Sequence, residues 1–327
     1  MSQEALDEQK KLLRIIKYLI NNTLETFHHK VTTLTGLVRI YVSIRHQMTL
    51  ILFKKIKIIT AFLLIISITN VSADMFLGEF IDHSNDSPIT TEAALRNPII
   101  PTTSERLSYG QSSNNEHIGF FSKPTDKETT SGLIVIHEWW GLNEDIHLMT
   151  NQLAALGYKA LAVDLYDGQS ATEVREAFQL SSNLSNNQEA ALANIKKAYD
   201  YLKNEEGVDK IGIIGWCLGG KWSLLASLML PSQIDATVIY YGSLVDDKDK
   251  LATLEMPIIG FVGTKDRLHK QFIQFSQDMQ SLEKDASVHI YEGAKHAFAN
   301  ASGIAYEEAA AEDSWKKTVE FLSQHLN

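Results

Sequence analysis

From residue 116 onwards, short apolar runs alternate with longer segments whose apolar residues recur at helical spacing. The short runs are rich in β-branched residues and predict strands at 117–121, 133–136, 159–163, 211–214, 236–240, 257–262 and 287–291. The longer segments predict helices at 143–156, 187–204, 221–229, 268–282 and 304–325. Apolar strands that alternate with helices predict an α/β fold with a mostly parallel central sheet and helices on both faces.

In a parallel sheet of this kind, ligands bind beyond the carboxyl ends of the strands. The residues that follow the predicted strands are 137–140, 164–166, 216–218, 241–242, 266–267 and 295–296. A cysteine, several carboxylates and a histidine are among them. We therefore expect the functional site at this edge of the sheet.

Composition and charge exclude several classes of function. Of the 327 residues, 44% are hydrophobic and 21% are charged, which is typical of a packed globular protein. A single cysteine excludes an internal disulfide framework and a multi-cysteine zinc site. The net charge of −10 argues against a nucleic-acid binder. Neither a metal nor an organic cofactor is predicted, and the expected partner is a small molecule.

The first 73 residues differ from the rest, because they carry a net charge of +6. Three lysines precede an apolar run at 58–69, and a small-x-small sequence follows at 71–73. These are the parts of a secretory signal. We predict a signal peptide at 48–73 that starts at Met48, with 1–47 as a leader or a mis-assigned start. The expected location is periplasmic or secreted, and the alternatives are an uncleaved membrane anchor or a buried helix.

Two regions follow the signal-like segment. Residues 74–115 are polar and rich in turn-forming residues, which predicts a loosely ordered lead-in with two short strands. Residues 116–327 are predicted to form the α/β domain.

Cys217 is the candidate nucleophile. It lies in Gly215-Trp216-Cys217-Leu218-Gly219, between a predicted strand and a predicted helix. This is the form of a nucleophile elbow with cysteine in place of serine. The helix dipole favours a thiolate at this position, and the backbone N–H of Leu218 can stabilise an oxyanion. The alternative is a small buried cysteine without a function.

The same segment also resembles a phosphate-binding loop, because Gly220 and Lys221 follow it. Such a loop requires serine or threonine next, to hold magnesium. The next residue is Trp222, which has no oxygen. A nucleotide-binding site is therefore disfavoured.

A thiol nucleophile needs a base, and the base needs a residue that orients it. His296 follows the last predicted strand, and Asp266 follows the strand before it. The chain order Cys217, Asp266, His296 is the one expected of the α/β-hydrolase fold. The alternatives are that Asp266 caps the next helix and that His296 makes only a structural hydrogen bond. His137 is expected to pack at the end of its strand.

The sequence from about 116 to 325 resembles the dienelactone hydrolase family. The motifs that carry this resemblance are 137–143 (HEWWGLN), 164–166 (DLY), 215–220 (GWCLGG), 263–266 (GTKD) and 296–299 (HAFA). The resemblance implies an α/β hydrolase with a Cys-His-Asp triad that opens a lactone through an acyl-enzyme.

The resemblance also implies roles for further residues. Glu138 would contact the resting thiol and help to deprotonate it, although it could instead pair with a lysine at the rim. The backbone N–H of Trp139 would be the second oxyanion donor. Trp140, Trp216 and Tyr166 are expected to line the substrate pocket, together with the ring of Trp139.

Two departures from the family pattern concern the substrate. Asn300 stands where well-known members have an arginine that binds the substrate carboxylate, and Arg175 is the only arginine in 166–187. We therefore expect a hydrolase of carboxylic esters or lactones. A dienelactone, a neutral ester, another lactone and a thioester are all candidate substrates. The alternative from another class is a non-catalytic binding protein that keeps the pocket.

Overall fold

The structure is a computed structural model that describes residues 100–112 and 115–327, together with Lys11, Arg14 and Lys17. The predicted leader, the signal peptide at 48–73 and most of the predicted lead-in lie outside the described residues. Export of the protein therefore stays a prediction.

Within the described residues, eight strands form one sheet in the order β1-β2-β4-β3-β5-β6-β7-β8. Their bounds are β1 Thr102–Ser112, β2 Asn115–Pro124, β3 Ser131–Ile136, β4 Lys159–Val163, β5 Lys210–Trp216, β6 Ala236–Tyr240, β7 Ile258–Gly263 and β8 Ala286–Tyr291. All neighbours from β4 to β8 pair in parallel, whereas β1 and β2 join the edge antiparallel. The central strands β3, β6 and β7 are buried along their whole length, which explains their continuous apolar runs.

Helices connect the strands and cover the sheet. Their bounds are α1 Glu144–Ala155, α2 Val174–Asn186, α3 Gln188–Asn204, α4 Leu218–Met229, α5 Lys248–Leu251, α6 His269–Ser281 and α7 Glu308–Leu326. Thr237 of β6 bonds to Ser227 of α4, and Tyr240 of the same strand bonds to Thr318 of α7. Residues three apart on a strand point to opposite faces, so α4 and α7 cover opposite faces of the sheet. The predicted mostly parallel sheet with helices on both faces is confirmed.

The structure differs from the prediction at several elements, among them the short unpredicted helix α5. Residues 102–112 form one long edge strand, so the sheet begins before residue 116. Helix α2 was not predicted, and it buries only Ala177 and Leu184. Helix α4 begins at Leu218 instead of 221, directly after the nucleophile turn. Helix α7 begins at Glu308, because turns occupy the residues from 301 to 305.

The parts of the chain that the structure describes contain no helix with the length and apolar character required to span a membrane.

Candidate active site

Cys217 occupies the sharp turn between β5 and α4. Its backbone has φ +53° and ψ −114°, a conformation that side-chain-bearing residues rarely adopt. The turn is held by a 2.9 Å hydrogen bond from the Cys217 N–H to the carbonyl of Tyr240, the last residue of β6. Strained backbone of this kind is characteristic of functional sites, where the surrounding structure holds it in place.

The two glycines that bracket Cys217 allow this turn to close. A Cβ atom at Gly215 would lie 2.3 Å from the carbonyl carbon and oxygen of Gly219. A Cβ atom at Gly219 would lie 2.3 Å from the carbonyl oxygen of Ile136 in β3. Both distances are far below van der Waals contact, so only glycine fits at either position.

The turn, the loop after β7 and the loop after β8 bring three predicted residues into one hydrogen-bonded chain. The Nε2 atom of His296 lies 3.3 Å from the Sγ atom of Cys217. Its Nδ1 atom lies 2.8 Å from Oδ2 of Asp266. All three side chains are buried, and Cys217 is 3% exposed. A carboxylate only accepts hydrogen bonds, so His296 donates through Nδ1 and presents Nε2 to the sulfur.

Asp266 also holds its own loop. Its second oxygen, Oδ1, accepts the N–H of Leu268 at 2.8 Å, just before α6 begins. The sequence left two interpretations of this residue, helix capping and orientation of the histidine. The carboxylate contacts the histidine with one oxygen and the residue just before the helix with the other, which fixes its position relative to His296.

The charges around His296 favour its protonated form. Burial alone would lower the pKa of His296, but the negative Cys217 sulfur and the Asp266 carboxylate hold this pKa well above its usual range. The N-terminus of α4 adds a favourable field for a thiolate at Cys217. The arrangement therefore suits an imidazolium–thiolate pair.

Glu138 is held beside this pair by two donors. The hydroxyl of Tyr241 donates to Oε1 at 3.4 Å, and the amide of Asn300 donates to Oε2 at 2.5 Å. The pKa of Tyr241 is raised well above its usual range by burial and by the negative charges of Glu138 and Cys217. Tyr241 therefore keeps its proton and remains a donor. Two donors facing the two oxygens suit the ionised form of Glu138.

Sequence reasoning missed the contacts of Tyr241 and Asn300 with Glu138. Tyr241 directly follows β6, and this position at the carboxyl edge of the sheet is the signal that could have identified it from the sequence. In the structure its φ is +37°. Asn300 was noticed only as a departure from the family pattern. The sequence contains no signal for its bond to Glu138, because 162 residues separate the two.

The backbone of the Glu138–Trp139 segment is fixed by side chains from neighbouring elements. His137 is fully buried; Nε2 accepts the N–H of Leu165 at 3.2 Å, and Nδ1 donates to the carbonyl of Glu138. Burial lowers the pKa of His137, so its ring is neutral. The Tyr166 hydroxyl donates to the carbonyl of Trp139 at 3.1 Å. His137 thus does more than pack, since it sets the path of the backbone beside the site.

The two predicted oxyanion donors lie on opposite sides of the nucleophile in the sequence. Leu218 is the first residue of α4, where N–H groups have no acceptor within the helix. Trp139 follows Glu138 in the loop after β3, and its carbonyl is held by Tyr166. Both residues are buried.

A cavity of about 370 Å³ adjoins Glu138 and Trp216 and runs between α1, the 299–306 loop and α7. Trp216 lines it, whereas Trp140, Tyr166 and the ring of Trp139 are not among the described residues of its wall. Their predicted place in the substrate pocket stays a prediction. They are 2–4% exposed and pack inside the protein, with the Trp139 and Trp140 rings 5.1 Å apart.

Among the described residues, no three His, Cys, Asp or Glu side chains are grouped so that they could hold a metal ion.

Comparison with known proteins assigns the family. The sequence model of the dienelactone hydrolase family matches residues 118–326. Protein usf of Aquifex pyrophilus is 31% identical over 211 residues, which cover 62% of this chain and 91% of that protein. A putative carboxymethylenebutenolidase of Saccharolobus solfataricus is 28% identical over 236 residues, which cover 61% and 91% of the two chains.

The structural comparison agrees with the sequence comparison. The crystal structure of a putative dienelactone hydrolase from Klebsiella pneumoniae has a TM-score of 0.62 and 24% identity, and the match covers 69% of this chain and 100% of that chain. The predicted α/β-hydrolase fold is thereby confirmed. The chain belongs to the dienelactone hydrolase family and is an enzyme that hydrolyses a lactone or an ester.

Proposed function

We propose that this enzyme cleaves its ester or lactone through a Cys-His-Asp triad and a covalent acyl-enzyme on Cys217. The observation that carries the proposal is the chain of two contacts through His296, 3.3 Å to the sulfur and 2.8 Å to Asp266. A base within reach of a nucleophile, itself oriented by a third group, is the arrangement that nucleophilic catalysis requires.

In the first half-reaction the Cys217 sulfur bonds to the carbonyl carbon of the substrate. The carbonyl oxygen takes the negative charge, and the N–H groups of Leu218 and Trp139 stabilise it. The intermediate then collapses, the carbon–oxygen single bond breaks, and the leaving oxygen takes a proton from His296. In a lactone this oxygen stays attached to the acyl group through the opened ring.

In the second half-reaction a water molecule attacks the thioester. His296 removes a proton from the water, and the carbon–sulfur bond breaks. The products are a carboxylic acid and the regenerated thiolate, which pairs again with protonated His296. Asp266 keeps the ring oriented and stabilises its positive charge in both halves.

Glu138 has a separate role in this proposal. Glu138 is 7% exposed and lines the cavity, and the neighbouring Trp216 in its wall directly precedes Cys217. A negative charge near a thiol disfavours the thiolate. We assign to Glu138 a restraint on the resting nucleophile: its charge opposes the thiolate of the Cys217–His296 pair until substrate displaces or protonates the carboxylate.

Replacement of the sulfur tests the mechanism. Cys217→Ala should reduce kcat/KM for 4-nitrophenyl esters by at least about a thousandfold, because removing the nucleophile leaves only binding and oxyanion stabilisation. Rapid quenching of the wild-type enzyme, followed by mass spectrometry, should show one acyl group on Cys217. His325→Ala, on the surface at the end of α7, is the control and should keep full activity. Full activity in Cys217→Ala would refute the proposal.

A further inference from the structure

The cavity beside Glu138 has apolar walls over most of its surface. Ile146 and Met149 of α1 form one side, and Trp315 of α7 forms another. Trp216 and Tyr240 close the end nearest the sheet. A volume of about 370 Å³ lies within the range of small-molecule sites, which suits a short acyl chain or a single ring.

The charged groups in the wall divide into an inner pair and an outer pair. The inner pair is Glu138, which is buried, and Asp145, which is half-buried and accepts a hydrogen bond from Ser302. The outer pair is Glu312 and Lys316, which are both exposed and lie one turn apart on α7. Among the described residues of this wall, the inner end therefore contributes two carboxylates and no lysine or arginine.

The outer pair contributes little to the field inside the cavity. Its charges are opposite, so they largely cancel. The Lys316 side chain is 75% exposed and also lies 4.0 Å from Glu320. Exposed charges are screened by solvent and salt, whereas buried ones are screened much less. The inner carboxylates thus set the electrostatic character of the site.

We propose that the cavity selects an uncharged, apolar acyl group and rejects one that bears a carboxylate, and that Asp145 is a specificity-determining residue. The proposal rests on the function proposed above and names its substrate class. A second carboxylate placed between apolar walls and beside Glu138 and Asp145 would lose its hydration and would be repelled by these two carboxylates. An uncharged chain would instead gain the contacts of the aromatic and aliphatic walls.

Two substrates that differ in one charge test this proposal. Methyl 4-nitrophenyl adipate is neutral, and mono-4-nitrophenyl adipate has a free carboxylate on the same acyl chain. Both release 4-nitrophenolate, so their turnover can be compared after subtraction of spontaneous hydrolysis. We expect kcat/KM to be at least about tenfold higher for the neutral ester, the factor that corresponds to about 1.4 kcal/mol.

Substitutions of cavity residues test whether Asp145 causes the preference for the neutral ester. Asp145→Asn keeps an acceptor for Ser302 and removes the charge, so the neutral-to-anionic ratio should fall at least about threefold. Glu312→Gln removes a charge from the exposed rim of the same cavity, and the ratio should change by less than about 1.5-fold because solvent screens that position. Because the ratio is taken within each variant, a change that affects both esters equally cancels from the comparison.

The outcomes separate the two proposals. If the anionic ester is turned over as fast as the neutral one while Cys217→Ala is inactive on both, the substrate class is wrong and the mechanism stands. The role of Asp145 falls if both variants change the ratio equally. If wild-type enzyme cleaves neither ester, or if Cys217→Ala cleaves the neutral one, the proposed mechanism fails, and the inference fails with it.

Discussion

His296 and His117 are both buried, at 5% and 6% exposure, and both have carboxylates close by. His296 lies in the loop after β8, and His117 lies near the amino end of β2. Their hydrogen-bond partners differ. His296 lies between Asp266 and the sulfur of Cys217. His117 Nδ1 accepts the amide of Asn194 at 3.2 Å, and its Nε2 donates to the hydroxyl of Ser112 at 2.5 Å.

The two environments shift the histidine pKa in opposite directions. Burial lowers the pKa of His117, and the charges of Asp167 and Asp164 are too weak to reverse this. At His296 the directly bonded sulfur and carboxylate outweigh burial and raise the pKa. A buried histidine with acidic residues nearby therefore does not by itself indicate an active site. The charge of the atoms that touch the ring decides whether it carries a proton.

The largest expected effect comes from replacing each of the two histidines. His296→Ala should lower kcat/KM for a neutral 4-nitrophenyl ester by about a thousandfold, because the proton-transfer group is lost. His117→Ala should change kcat/KM by less than about threefold and should instead lower Tm, since it leaves the Asn194 amide without one acceptor. Steady-state kinetics and thermal unfolding of both variants check this. Equal losses of activity would contradict the distinction.

A smaller effect is expected when only the charge beside His296 is removed. Asp266→Asn should lower the pKa of His296, so the ring loses its proton at a lower pH. The alkaline limb of the kcat/KM–pH profile should therefore move to lower pH by about one unit, and activity at neutral pH should fall about a hundredfold. Asp200→Asn, on the half-exposed Lys196–Asp200 pair of α3, should leave the profile unchanged. An unshifted alkaline limb in Asp266→Asn would mean that Asp266 does not control the proton.

The smallest effect on catalysis is expected in the network around His117. Asn194 donates to His117 and to the carbonyl of Asp164, and it accepts the Tyr109 hydroxyl at 2.5 Å. Asn194→Ala should lower the free energy of unfolding by about 3 kcal/mol, because several buried groups lose a partner. That loss corresponds to a fall in Tm of about 6–12 °C, with kcat unchanged.

The matched control for this variant is Asn187→Ala. Asn187 is exposed, and its amide bonds only to the carbonyl of Asn183 at the surface. Its removal should cost less than about 0.5 kcal/mol, since water replaces the bond. If kcat of Asn194→Ala falls by more than the loss of folded protein explains, the network supports the active site as well as the fold.

The residues of the predicted triad were accessible from the sequence because each has a local signal. Cys217 has the glycine bracket, and Asp266 and His296 each follow an apolar strand in the expected order. The central strands were equally accessible, since burial on both faces gives continuous apolar runs. Strand β1 could not be recognised from the sequence, because most of its residues are exposed at the edge of the sheet and show no apolar alternation.

The aromatic residues that follow the strands are a case in which the sequence could not predict side-chain positions. Trp140, Trp216 and Tyr166 all follow strand ends, and the sequence offered no reason to separate them. All three are buried, but only Trp216 is among the described residues that line the cavity, and the Tyr166 hydroxyl is bound to the backbone of Trp139. Side-chain direction depends on the turn of each loop and on packing against distant helices, neither of which is encoded by local spacing.

The sequence alone determined the order of the parallel strands, most of the helices between them and the identity of the residues with reactive groups, because periodicity and short motifs are local properties. Only the tertiary structure decided which groups touch: the imidazole of His296 on the sulfur, Asn300 and Tyr241 on Glu138, and Asp145 inside the cavity. These contacts join residues that are more than 70 positions apart or that line different walls. Their charges act over a few ångströms, so the fold fixes the chemistry by fixing those distances.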